Sequence, residues 1–137
     1  VIKFYPQFNK ENIMRETIYT KNAPEPVGPY SQAIKANGFL YCSGMIAINP
    51  ENNEFIGGDV SIQTEQVMKN IKALLNAAGC DFKDVIKTTC FLDDMKNFAI
   101  FNEIYAKYFT SKPARSCVEA KLPKGASVEV EVIALCE

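Results

Sequence analysis

The sequence predicts an α+β fold in which two helices cover one face of a mixed six-stranded sheet. Two segments place apolar residues at helical spacing, and six others combine strand-forming residues with flanking turn residues. The 137 residues suffice for one domain with one core. In chain order these segments predict the arrangement β-β-β-α-β-α-β-β.

The first thirteen residues differ from the rest of the chain. Residues 1–13 show no hydrophobic period and precede the first methionine, Met14. They lack the apolar core of a signal peptide, and they are too poor in Arg and Ser for a transit peptide. We therefore expect a disordered leader or an added extension at 1–13, followed by a single domain over residues 14–137.

Three strands and a rigid loop are predicted next. A short strand at residues 15–20 leads into a loop with three prolines in the six residues Pro24–Pro29. Strands at 31–36 and 39–48 follow, and they flank the dipeptide Asn37-Gly38. This dipeptide is typical of a type I′ turn, so the two strands are expected to form a hairpin.

Two amphipathic helices alternate with the remaining strands. The first is predicted by helical spacing of Val67, Ile71, Leu74, Leu75 and Ala78. Asp59 or Ser61 can cap its start, and Gly79 is placed to end it. The second, started by Asp94 or Asn97, is predicted by Phe98, Phe101, Ile104, Tyr105 and Tyr108. Strands at 85–92, 116–120 and 128–135 complete the sheet.

The apolar pattern of the strands predicts an oligomer. Two helices of about 17 and 12 residues can cover only one face of a six-stranded sheet. The strand at 128–135 is apolar on one side, but the segment 39–48 is apolar on both. The second face of the sheet is therefore expected to be buried against other subunits.

The composition excludes several function classes. Histidine is absent, which removes the usual general base, metal ligand and triad member. The five cysteines are never closer than ten residues apart, so they form no CxxC motif and indicate free thiols in a reducing compartment. A net charge of −1 does not favour nucleic acid as a partner. The longest apolar run, Val132–Cys136, is too short for a membrane span.

One arginine is the leading candidate for ligand binding. Arg115 and Arg15 are the only arginines in a chain with thirteen lysines. A guanidinium can bind a carboxylate through two parallel hydrogen bonds, whereas a lysine offers only a point charge. Pro113 before it and an apolar strand after it favour a fixed position, although a surface ion pair remains the alternative.

Other candidates have both a structural and a functional interpretation. Cys117 shares a strand face with Arg115, whose charge would favour a thiolate, but it can equally be a small core residue. Glu129 shares a face with Glu131; the pair is either a solvated face or, in a subunit cleft, a source of a desolvated acid or base. Ser43-Gly44 interrupts a strand, which indicates a bulge or the close approach of a ligand.

Several stretches of the chain are distinctive when taken together. They include Asn22-Ala-Pro, Gly28-Pro-Tyr-Ser-Gln-Ala, Ser43-Gly44, Asn102-Glu-Ile-Tyr, Pro113-Ala-Arg-Ser-Cys-Val-Glu and Val128-Glu-Val-Glu-Val-Ile-Ala. Over residues 17–137 the sequence resembles the Rid/YjgF family of enamine/imine deaminases. The resemblance implies a chorismate-mutase-like α+β fold and a homotrimer with active sites in the clefts between subunits.

The resemblance also implies a reaction and a set of residues. The implied reaction is hydrolysis of 2-imino acids, such as 2-iminopropanoate and 2-iminobutanoate released by PLP-dependent dehydratases, to 2-keto acids and ammonia. No cofactor or metal is implied. Arg115 is expected to take the substrate carboxylate, while Cys117 and Glu129 border the attacking water. The substrate-binding residues implied are Tyr30, Ser43, Gly44, Asn102 and Arg115.

Two other function classes stay open at this point. Members of the family have been linked to RNA cleavage or inhibition of translation, and others resemble small-carboxylate sensors or chaperone-like trimers without turnover. A sensor would need Arg115 but not Glu129, and this sequence has both. The expected location is cytoplasmic, or mitochondrial if residues 1–13 are native, and no membrane association is expected.

Overall fold

A computed structural model describes residues 15–137, so the predicted leader at 1–13 and Met14 lie outside the described range. Within that range, the strands are β1 (Arg15–Ile18), β2 (Ala33–Ala36), β3 (Phe39–Cys42), β4 (Ile48–Asn49), β5 (Glu54–Phe55), β6 (Val85–Leu92), β7 (Ala114–Glu119) and β8 (Val128–Leu135). The helices are α1 (Val60–Ala77) and α2 (Phe98–Tyr108). Short 3₁₀ turns precede β6, α2 and β8.

Six of these strands form one sheet in the order β1-β2-β3-β8-β6-β7. The β6–β7 pair is parallel and every other neighbouring pair is antiparallel. Both helices pack on the same face, so the predicted fold class is confirmed. The final strand, β8, lies in the middle of the sheet between β3 and β6, and the two-residue strands β4 and β5 form a separate hairpin.

The two helices begin differently, α1 at a side-chain cap and α2 without one. The side chain of Asp59 accepts a hydrogen bond from the backbone of Ile62 at 3.0 Å, which satisfies a free donor at the start of α1. Asp94 caps the 3₁₀ turn Met95–Asn97 instead of α2, and α2 begins directly after that turn at Phe98. Within residues 15–137, no helix combines the length and the apolar character needed to cross a membrane.

The core lies between the helices and one face of the sheet. On the helix side its fully buried members include Val67, Met68, Ile71, Leu74, Leu75 and Phe101. On the sheet side they include Leu40, Cys90, Leu92, Val128, Val130 and Ala134. Along β8 every second residue is buried, so the alternation predicted from the sequence decides which face meets the helices.

Local turns confirm one prediction and correct another. Asn37 and Gly38 adopt φ angles of +52° and +82°, as the predicted type I′ turn requires. The predicted strand at 39–48 is wrong beyond Cys42, because the chain leaves the sheet at Ser43-Gly44 and returns only through an isolated bridge between Met45 and Val130. Gly44 allows this path of the chain because it has no Cβ. The space where a Cβ would lie is occupied by a side chain of a neighbouring strand.

The sheet face away from the helices carries large apolar side chains. Tyr41 on β3, Val118 on β7 and Leu135 on β8 are 47%, 46% and 51% exposed. Ile133 pairs directly with Tyr41 on this open face and is partly buried. The open face therefore has the apolar character on which the expectation of an oligomer rests.

Candidate functional site

Arg115 lies on β7, at the edge of the sheet and on the same face as the helices. The parallel register with β6 pairs Arg115 with Thr88, and Thr88 is fully buried beneath the helices. Its guanidinium is partly exposed and reaches toward α2. An edge strand with one neighbour thus presents a cation beside a helix surface.

Helix α2 holds this guanidinium with three side chains. Asn102 accepts a hydrogen bond from Arg115 Nη1 at 2.6 Å through its Oδ1. The Arg115 Cζ atom lies 4.7 Å from the ring centroid of Tyr105 and 5.4 Å from that of Phe98. These distances are typical of cation–π contacts. Because Phe98, Asn102 and Tyr105 are spaced by four and three residues, they share one stripe of the helix.

A pocket of about 530 Å³ opens beside this cluster. We call it the arginine pocket, and the residues that line it include Asn102, Tyr105, Phe109, Lys112, Pro113 and Arg115. Since Asn102 takes only one of the five guanidinium N–H groups, the remaining edge can bind an anion. Planar carboxylates match that edge best because they accept two parallel hydrogen bonds.

Cys117 accompanies Arg115 on the same face, as predicted. It is partly buried and packs against the core. Burial raises the pKa of its thiol, and the charge of Arg115 offsets this only in part. Arg115 does favour the thiolate, as expected, but desolvation outweighs its effect and the net shift favours the neutral thiol, which agrees with the alternative of a small core residue. A neutral thiol can border a ligand but is a poor nucleophile at neutral pH.

Glu129 lies on β8 and points to the open face of the sheet. A Cβ built on Gly44 would come within 2.9 Å of Glu129 Cδ and 3.0 Å of its Oε2. The missing side chain of Gly44 is thus what gives the carboxylate its place. Burial raises the pKa of the Glu129 carboxyl, and the charge of Glu131 raises it further.

The second pocket, about 230 Å³ in volume, contains this carboxylate. We call it the glutamate pocket, and the residues that line it include Tyr30, Gln32, Gly44, Ile46, Lys124 and Glu129. Tyr30 is 49% exposed, and its hydroxyl accepts a hydrogen bond from the backbone of Val27 at 3.3 Å. That leaves the hydroxyl proton free to be donated to a ligand.

Ser43 closes the strand next to Gly44. Its Oγ donates a hydrogen bond to the carbonyl of Ser31 at 2.6 Å, and its backbone N–H donates to the carbonyl of Gln32 at 2.9 Å. The hydroxyl can still accept one bond. Of the predicted substrate-binding residues, Tyr30 and Gly44 therefore lie with Glu129, Ser43 adjoins Gly44, and Asn102 lies with Arg115.

Gln32 anchors the proline-rich loop, and the sequence analysis assigned it no role. The side chain is 1% exposed and makes four hydrogen bonds. Its Oε1 accepts from the backbone of Thr20, while its Nε2 donates to the carbonyls of Thr20, Ala23 and Pro24. The signal that could have identified Gln32 is its place as a polar residue between a loop and a strand. A buried amide there needs hydrogen-bond partners, and the loop backbone can supply them.

The two pockets lie on opposite faces of the sheet in one chain. Arg115 and Cys117 pair with Thr88 and Cys90, which are buried under the helices. Glu129 pairs with Phe91 and alternates with buried Val128 and Val130, which puts it on the face away from the helices. Of the predicted catalytic residues, Arg115 and Cys117 therefore lie together within one chain, and Glu129 lies on the opposite face.

The titratable groups of the described residues do not form a metal site. Among residues 15–137, no three His, Cys, Asp or Glu side chains form a cluster that could hold a metal ion. The chemistry available in the two pockets is that of a guanidinium, a phenol, the ammonium groups of Lys112 and Lys124, and a partly desolvated carboxylate. These groups can bind an anion and transfer a proton.

Comparisons with known proteins agree with this architecture. A RutC family protein of Pyrococcus horikoshii is 55% identical over 126 residues, covering 90% of this chain and 100% of that protein. A 2-iminobutanoate/2-iminopropanoate deaminase of Mus musculus is 44% identical over 126 residues, covering 90% of this chain and 93% of that protein.

Solved structures lead to the same family. Escherichia coli TdcF with bound serine is 37% identical and superimposes with a TM-score of 0.84, covering 89% of this chain and 99% of that one. The family model described as endoribonuclease L-PSP matches residues 20–136. The chain therefore belongs to the endoribonuclease L-PSP family, which is the Rid/YjgF family that its motifs resemble.

Proposed function

We propose that this protein hydrolyses reactive 2-imino acids to 2-keto acids and ammonia, and that 2-iminopropanoate and 2-iminobutanoate are among its substrates. The observation that carries the proposal is the fixed Arg115 guanidinium, which has a free edge in the arginine pocket. That edge matches the carboxylate common to all 2-imino acids. The mouse relative is named as a deaminase of both compounds, and the TdcF structure has serine, a small amino acid, bound.

Binding through Arg115 would orient the substrate for attack. A carboxylate held by two parallel hydrogen bonds leaves the adjacent imine carbon at a fixed distance and angle from the cation. A protonated imine carbon is already electrophilic, so it needs only a placed water and a proton acceptor. Such a reaction does not require a histidine, and this chain has none.

Glu129 is the proposed proton acceptor. Its carboxylate takes a proton from water as the water oxygen adds to the imine carbon, which gives a tetrahedral carbinolamine. The proton then passes from Glu129 to the amine nitrogen, and the C–N bond breaks as the carbinolamine hydroxyl gives its proton to the Glu129 carboxylate. The 2-keto acid and ammonia leave, and the proton left on Glu129 passes to ammonia or water. A raised pKa suits this role because the carboxyl can both accept and return a proton nearer to neutral pH.

The proposed site requires two subunits. Because the arginine and glutamate pockets lie on opposite faces of one sheet, Arg115 and Glu129 can serve one substrate only if they come from different copies of the chain. The apolar open face supports association through the sheet. We therefore place the reaction in clefts between the subunits of a homotrimer.

The test is a coupled assay with a PLP-dependent threonine dehydratase, which releases 2-iminobutanoate. Semicarbazide is added to trap the imine, and the purified protein is added to compete with it. We expect faster formation of 2-oxobutanoate and less semicarbazone, in proportion to the protein added. Arg15→Ala is the matched control for Arg115→Ala, since it removes the other arginine, which is exposed on β1.

The result that would overturn the proposal is an unchanged ratio of 2-oxobutanoate to semicarbazone. A parallel incubation with labelled single-stranded RNA separates the endoribonuclease alternative. RNA cleavage that is lost in Arg115→Ala, without imine hydrolysis, would replace the deaminase by a nuclease. Binding of 2-oxobutanoate without either activity would instead indicate a small-carboxylate sensor.

A further inference from the structure

The ring of Tyr105 is fixed from its far end by a buried hydrogen bond. Its hydroxyl lies 2.7 Å from the Oγ1 of Thr88, and the two residues are 8% and 0% exposed. Thr88 is also the residue that pairs with Arg115 in the sheet. Each of the three residues therefore interacts with the other two. Thr88 and Arg115 are joined by strand pairing, Thr88 and Tyr105 by a hydrogen bond, and Tyr105 and Arg115 by the cation–π contact.

These interactions determine the orientation of the Tyr105 ring. A tyrosine side chain can rotate about its first two torsions, and a buried bond at the hydroxyl leaves one orientation favoured. In that orientation the ring face, rather than its edge, lies toward Arg115 Cζ at 4.7 Å. Since cations prefer the electron-rich face of an aromatic ring, the guanidinium plane is held in turn.

We propose that Thr88 and Tyr105 are a positioning pair that fixes the plane of the Arg115 guanidinium and thereby the edge that it offers to a carboxylate. The effect of this pair on substrate binding rests on the proposed function, but its effect on the order of the Arg115 side chain does not. Thr88 is fully buried, and although Tyr105 lines the arginine pocket, the role proposed for the pair does not depend on contact with substrate. The pair acts through the arginine, together with the Asn102 bond at the other side of the guanidinium.

Three variants separate positioning from simple destabilisation. Thr88→Val removes the hydroxyl and leaves the Tyr105 hydroxyl buried without a partner, and Tyr105→Phe does the reverse. The double variant Thr88→Val/Tyr105→Phe removes both hydroxyls, so no polar group is orphaned and the packing is retained. Thr89→Val is the matched control, because Thr89 is the next residue of β6 and points to the open face.

The primary measurement is the NMR signal of the Arg115 Nε–Hε group. Only two arginines are present, so Arg15→Lys assigns the signals without ambiguity. We expect an ordered Arg115 side chain in the wild type, with an order parameter near that of the backbone. In the double variant it should fall below about 0.6, the level of flexible groups, with a loss of the ring-current shift. Thr89→Val should leave the signal unchanged.

The second measurement is binding of 2-oxobutanoate, the carboxylate product. We expect its Kd to rise about 3- to 10-fold in the double variant, and the KM for the imine to rise by a similar factor with kcat less affected. If Arg115 loosens while the Kd and hydrolysis are unchanged, the positioning pair stands and the proposed role of Arg115 in the reaction is wrong. If the Arg115 signal stays ordered in the double variant, the pair is overturned whatever happens to activity.

Discussion

The arginine pocket and the glutamate pocket hold opposite charges by opposite means. Arg115 is held by direct attraction, through the hydrogen bond that it donates to Asn102 and through two aromatic faces on the same helix. Glu129 has no cationic partner within 4.0 Å in residues 15–137; its surroundings include Gly44, apolar residues and the carboxylate of Glu131, and Lys124 lines the same pocket. One pocket thus surrounds its cation with favourable contacts, and the other disfavours the charged form of its carboxyl.

This difference matches two different tasks. A group that binds an anion must keep its charge and its direction, and three contacts from a rigid helix provide both. A group that moves a proton must exchange its charge readily, and desolvation with a like-charged neighbour brings its pKa toward neutral pH. The fold separates the tasks by building the first pocket on a helix face and the second where a strand leaves the sheet.

Loss of the carboxylate should have the largest effect. We expect Glu129→Gln to lower kcat by about 100-fold or more, the usual contribution of a general acid or base. The fold should persist, because a group whose pKa is raised in the folded state contributes no stability once the pH lies above that pKa. The reaction rate at pH 8 measures the loss of activity, and the melting temperature at pH 8 shows whether the fold persists. Glu131→Gln, on the same strand face, should retain activity there, and equal losses in the two variants would contradict the assignment.

Changing the cation should be the next largest effect. Arg115→Lys keeps the charge but loses the planar fork and its fit between the rings, so its kcat/KM should fall nearly as far as that of Arg115→Ala, by about 10- to 100-fold. The melting temperature should change little, because the side chain is partly exposed. Near wild-type activity in Arg115→Lys would contradict the proposal that Arg115 binds the carboxylate through two parallel hydrogen bonds. A clearly lowered melting temperature would show that Arg115 has a structural role.

Mixing the two inactive variants tests whether the pockets meet between subunits. Trimers assembled at random from equal amounts of Arg115→Ala and Glu129→Gln would give about a quarter of the clefts both native residues. Activity should therefore recover to about a quarter of the wild-type value after the mixture is unfolded and refolded together. Absence of recovery, although mixed trimers are seen by native mass spectrometry, would show that the two residues do not share a site.

Filling the space at Gly44 should have a moderate effect. In Gly44→Ala the new Cβ would lie 2.9 Å from Glu129 Cδ, so the flexible carboxylate must move. We expect activity to fall about 3- to 10-fold without loss of the fold. The same change in a Glu129→Asp background should cost less, because the shorter side chain avoids the contact. Additive effects in the double variant would show that Gly44 acts independently of the carboxylate.

The smallest expected effect is a change in pH dependence. Glu131 raises the pKa of Glu129, so Glu131→Gln should lower that pKa. The acid limb of the rate profile, where Glu129 becomes protonated and inactive as a base, should then move to lower pH by less than about one unit. A limb that stays in place would assign the ionisation to another group or to the substrate.

The sequence predicted the regular elements well where local signals agree. The strand at Val85–Leu92 and the strand at Val128–Leu135 have the predicted bounds, because alternation and flanking turns define them. The error in 39–48 has a different origin. Nothing in that segment shows that Glu129, some 85 residues further along the chain, occupies the space beside Gly44.

For the candidate site, the sequence predicted which residues share a strand face but not the contacts that surround Arg115. Strand alternation correctly placed Cys117 beside Arg115 and Glu131 beside Glu129. The contacts of Tyr105 and Phe98 were missed because aromatic residues at helical spacing are typical of a core stripe. The parallel pairing of β6 with β7 is what brings the guanidinium next to this aromatic stripe. The local sequence pattern does not reveal which strands pair.

The central position of β8 has a consequence for how the chain is synthesised. Residues 128–135 pair with both β3 and β6, so the sheet consists of two separate halves until this strand is available. During translation, the apolar face of α1 has no complete sheet to cover until this strand leaves the ribosome. Nascent chains are therefore expected to depend on chaperones longer than their size suggests, and loss of β8 should abolish folding rather than weaken it.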